Sequence, residues 1–110
     1  MSKLNLKDLT GPMLSASKNT LNERWPDIRE YAKTEMKSIA ESIVLIQKLR
    51  ALGKITEQQA SMLLEMKRNT TRIVLLAVDG MTLLMVEETI NAAIKAVRDV
   101  VNKSLKFALL

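Results

Sequence analysis

The chain has 110 residues, a net charge of +5, 47% apolar and 3% aromatic residues, and neither cysteine nor histidine. That length and apolar share admit one domain with its own core and exclude a disordered chain. Without Cys or His there are no disulfides, thiolate or imidazole catalysis, haem-binding His or Cys/His zinc sites. Leu, Ile, Val, Ala and seven Met must build the core, and only three Gly and two Pro punctuate the chain. Both features favour an all-α fold.

Residues 1–11, "MSKLNLKDLTG", are polar and aperiodic and read as a flexible N-terminal arm. They hold no apolar stretch of signal-peptide length, which makes the cytoplasm the default location, with the periphery of a membrane as the alternative. Residues 12–110 form a single helical domain with helices expected over about 12–24, 26–52 and 57–108. The first opens with Pro12 in its initial turn, and Trp25-Pro26 ends it because proline disfavours the α conformation in the residue before it.

In the second helix Ile28, Ala32, Met36, Ile39, Ile43, Ile46 and Leu49 recur at steps of three and four, one apolar stripe. Gly53 stands where such a helix stops, after Lys48 and Arg50. Thr56 with Gln59 three residues on has the form of a capping box that starts the next helix. The short loop between makes the two helices antiparallel.

Between residues 57 and 110 there is no proline, and the only glycine is Gly80. The stretch "RIVLLAVDGMTLLMVE" (72–87) admits three readings. A β-hairpin turning at Asp79-Gly80 would place Arg72 opposite Glu87. Its two runs do not alternate, however, and no third strand is visible. A membrane span would need about 20 apolar residues, and residues 73–86 fall short. The remaining reading is one long C-terminal helix, bent near Gly80, which would extend roughly 70 Å or more. Its last part carries Ile90, Ile94, Val97, Val101 and Leu105 on one stripe.

Such a helix outruns the second by roughly 20 residues, and a helix apolar on all sides belongs inside a larger core. The fold class is therefore an antiparallel helical hairpin with one long C-terminal helix, assembling into an oligomeric helical bundle. The expected partner is a second copy, most simply a two-fold dimer. The expected interface comprises Val74, Leu75, Val78, Asp79, Gly80, Met81, Leu84, Met85, Ile90, Ile94, Val97 and Val101. Asp79 has three readings: solvated beside Gly80, paired to fix register, or in contact with a ligand.

Lys67, Arg68 and Arg72 form a basic cluster that is a candidate anion-binding site. No aromatic interleaving accompanies it, so nucleic acid is a disfavoured partner. Scattered glutamates without histidine do not make a di-iron site. No cofactor, metal or catalytic residue is expected, since there is neither a convergent carboxylate pair nor a glycine-rich phosphate loop. The expected function is that of a non-enzymatic, self-assembling helical-bundle protein, a structural or adaptor component that binds itself or another protein. The alternative is a membrane-associated or pore-forming protein using its amphipathic C-terminal helix.

Overall fold

A computed structural model describes residues 4–110. Four α-helices run in order, α1 (Leu6–Leu21), α2 (Trp25–Ala51), α3 (Glu57–Leu76) and α4 (Leu83–Leu105), with a single 3-10 turn at Asn22–Arg24. The described residues contain no strand. The all-helical expectation holds; the long C-terminal helix does not.

Residues 57–108 are two helices joined by a turn at residues 77–82. Gly80 adopts a φ of +85°, open to glycine at little cost. Thr82 then starts α4, its hydroxyl accepting the N–H of Met85 at 3.2 Å. An unbroken helix would run far beyond the molecule's longest extent of 42 Å. Folding back instead lets α4 bury nine residues against its own chain.

The expected arm is also partly helix. Within residues 1–11 the first three lie outside the described residues, but Asn5 caps α1 through the Lys7 N–H and the helix begins at Leu6. Leu9, Met13, Ser17 and Leu21 repeat every four residues and face the core. Pro12 therefore lies inside the helix, not at its start. It deprives the Asp8 carbonyl of its usual donor, and α1 continues through it because its buried face is held on both sides.

Those sides are α2 and α4. The Leu4 N–H donates to Gln47 Oε1 at 2.7 Å, and Gln47 Nε2 donates to Ser104 Oγ at 2.5 Å. The start of α1 thus meets the last turns of α2 and α4. At the opposite end of the bundle, Arg72 of α3 pairs with Glu87 of α4. Successive helices are antiparallel, α1 packs on α2 and α4, and α3 packs on the same two without reaching α1. The core runs through the centre, with Met13, Ile28, Met36, Ile39, Ile43, Leu75, Ile90 and Val97 all but sealed from solvent.

The capping box at Thr56 forms with both reciprocal bonds, and Gly53 follows α2 at a φ of +69°. Past α4 the chain folds over the bundle's end. Leu110 exchanges two hydrogen bonds with the side chain of Asn102, and the Phe107 ring lies 5.3 Å beneath the Arg50 guanidinium.

Candidate functional surface

α3 is the least buried long helix of the bundle. Only Ala60, Leu64, Thr71 and Leu75 of its 20 residues face the core. A second apolar stripe runs along its opposite side. Met62 is 60% exposed, Met66 65% and Ile73 70%. At 100° per residue this stripe points almost directly away from the buried one. A helix apolar on two opposite faces has one face left to cover.

The outer surface of α2 continues the stripe. Leu45, Ile46, Leu63 and Met66 line a shallow groove of about 270 Å³ between the helices, with Ser42, Lys67 and Thr70 at its rim. Leu52 and Tyr31 are exposed towards the two ends of α2. By contrast α1 exposes no large apolar side chain, while α4 exposes Leu83 and Leu84 in its first turn and Val100 farther along.

The twelve expected interface residues divide accordingly. Leu75, Ile90, Ile94, Val97 and Val101 are buried in the chain's own core and are unavailable to a partner. That corrects the expectation, whose premise was a long helix lacking neighbours; α1 supplies the missing neighbour. Val74, Val78, Met81 and Met85 are half-buried. Leu84, Asp79 and Gly80 are exposed. Asp79 shares a cleft with Arg24, Asp27, Tyr31, Ala77 and Val78, where the α3–α4 turn meets the start of α2. Within one chain it is an exposed turn residue.

Sequence reasoning missed Met62, Met66 and Ile73, the most exposed apolar residues of α3. The signal was present: positions 62, 66 and 73 fall on a helical period of their own, distinct from 60, 64, 71 and 75. The neighbouring run at residues 73–86, apolar on all sides, obscures it.

The basic cluster is largely engaged. Arg72 pairs with Glu87 through Nε and Nη2 and donates from Nη1 to Asn69. Arg68 Nη2 donates to Asn91 Oδ1 at 3.1 Å, and Lys67 turns to the groove beside α2. These contacts stitch α3 to α4 where their apolar seam is thin. The hydrogen bond from Arg72 holds the Glu87 carboxyl below its usual value and raises the Arg72 guanidinium further. A carboxyl whose folded value is lowered stabilises the fold above its unfolded value, and that stabilisation disappears as pH falls through the folded value. Glu87→Gln is accordingly expected to cost about 0.5–1 kcal/mol at neutral pH, as for a partly solvated pair. Urea titrations of both proteins should converge as the pH falls through the lowered Glu87 value, where the parent carboxyl becomes protonated as well.

A second polar contact crosses the bundle. The Thr71 hydroxyl donates to Glu35 Oε1 at 3.1 Å, with both residues buried between α2 and α3. Among the described residues no three His, Cys, Asp or Glu side chains cluster to hold a metal. No described helix is long and apolar enough to cross a membrane. The apolar stripe of α4 lies in the core, so its presentation to lipid would require α1 to undock. Comparison with protein families, with characterised proteins and with solved structures finds no match to this chain.

Proposed function

We propose that this protein is a non-enzymatic, self-assembling helical bundle, a structural or adaptor component that works through the outer face of α2 and α3. The observation that carries the reading is the second apolar stripe of α3, Met62, Met66 and Ile73, on a helix already packed by its other side. With Leu45, Leu63 and Leu76 beside it, the exposed side-chain area is roughly 500–600 Å², at the upper end of what a monomer presents. The polar faces of α1 and α4, with Lys7, Lys18, Lys95, Arg98 and Lys103 among their exposed residues, stay free for further protein partners.

Sedimentation of the full chain tests the proposal. The parent is expected at twice its mass of 12.4 kDa at tens of micromolar concentration. Met66→Glu and Ile73→Glu should each sediment as monomers with helical content unchanged, because both side chains are exposed within one chain, and should lose the rise of thermal midpoint with concentration that a dimeric parent shows. A parent that stays monomeric at those concentrations overturns self-assembly.

A further inference from the structure

Resting on that reading, we infer that the occupant of the α3 stripe is the same stripe of a second copy, running antiparallel about a two-fold axis between Met66 and Asn69. Three observations lead there. The first is spacing. Met62, Met66 and Ile73 are exposed on one line of α3, and Asn69 lies exposed beside that line. Turning the helix end for end sets Met62 opposite Ile73 of the second copy and Met66 opposite its Asn69. The stripe thus fits itself with its apolar ends filled, as a two-fold interface requires. A parallel pairing would place like on like throughout and gain nothing from the polar position at 69.

The second is charge. In an antiparallel helix pair the same flank of each helix faces the other. On the α4 side of the stripe the flank carries Glu65 and Arg72. The two-fold operation brings Glu65 within about two residues of the second copy's Arg72, an axial offset of roughly 3 Å at the helical rise. Arg72 keeps its pair with Glu87, so on each side of the axis the Glu65 carboxylate of one copy approaches a guanidinium that is already held in place. Lys67 stands roughly 120° round the helix from the stripe, towards α2, so the two lysines do not confront each other across the seam. Around the face as a whole Glu41 and Glu65 offset Lys48 and Lys67, and Arg72 is offset by its partner Glu87, although the chain carries +5. A neutral face on a basic protein suits a second copy better than a polyanion or an anionic lipid surface, which would draw on the charge excess.

The third is area. A standard interface buries about 800 Å² on each partner, of which somewhat more than half is apolar. The roughly 500–600 Å² of apolar side chain on this face matches that share.

The absence of cysteine makes the arrangement directly testable, since a single introduced thiol reports one position. Met62→Cys and Ile73→Cys chains, produced separately and by co-expression, would be oxidised mildly and run on non-reducing gels. Asp99→Cys, exposed on α4 away from the face, serves as control. The expected result is a mixed disulfide between co-expressed Met62→Cys and Ile73→Cys chains, with neither linking to itself above the control. Asn69→Cys alone should link to itself, because a disulfide spans Cα atoms about 4.4–6.8 Å apart and the two copies meet there. Self-linkage of Met62→Cys and of Ile73→Cys separately would overturn the antiparallel arrangement in favour of a parallel one. A dimeric mass without any of these links would overturn the proposed pairing and leave self-assembly through another face standing. A monomeric mass would remove both.

Discussion

Met13→Ala is expected to lower the unfolding free energy by about 2–5 kcal/mol, the range for truncating a large buried side chain. Met13 is fully buried at the middle of α1, between Leu9 and Ser17 on the face turned inward. It lies next to Pro12, where the helix has lost a backbone bond and depends most on packing. A cavity opened there cannot be filled by a small shift of a rigid helix, and α1 has little intrinsic helicity with which to resist. For a domain whose total stability is about 5–15 kcal/mol, the loss is a large fraction. Chemical denaturation followed by far-UV circular dichroism measures it. If α1 were a loosely attached arm, the midpoint would hardly move, and a change below about 0.5 kcal/mol would contradict its place in the core.

Gly80→Val is expected to cost about 2–3 kcal/mol. A β-branched residue at a φ of +85° is a steric outlier, and such positions cost about 1–3 kcal/mol. A second contribution comes from outside the turn. The guanidinium of Arg24 packs against Gly80 so closely that a Cβ there would fall inside it. Arg24 is a long, half-buried side chain that can swing away, so this part of the cost is recoverable. A double-mutant cycle separates the two terms. Combining Arg24→Ala with Gly80→Val should return part of the loss, while the backbone term stays. A cycle with no coupling would show that the two turns at this end of the bundle do not touch.

The sequence marked α2 well. Its stripe from Ile28 to Ile46, its end before Gly53 and the capping box at Thr56 all appear in the structure. These signals are local, each set by a few neighbouring residues. The break at 77–82 was less legible because its signals are incomplete. Thr82 caps α4, but position 85 is Met, so the reciprocal half of a capping box is missing. Asp79-Gly80 is a turn, yet the turn joins helices instead of strands. The part of α1 before Pro12 was hidden by Gly11-Pro12, which resembles a boundary from within the chain. Only packing against α2 and α4 makes the helix continue through it, and packing of that kind is tertiary information. The candidate surface was half legible for the same reason. Without knowing that α4 folds back onto α1, Ile90, Ile94, Val97 and Val101 and the outer side of α3 could not be told apart as covered and uncovered.

The most extensive contact of α1 is with α4, the helix farthest from it in the chain. Residues such as Leu9 and Val97 stand more than eighty positions apart in sequence, so bringing those helices together closes a long loop. The hairpins α1–α2 and α2–α3 require only short turns and form at lower entropic cost. Folding therefore has a natural order, with adjacent helices meeting first and the α1–α4 seam closing the ring afterwards. Until it closes, the apolar stripe of α4 stands open to solvent. During that interval the chain is most exposed to mispairing with its neighbours, and α4 could receive α1 from another molecule in place of its own.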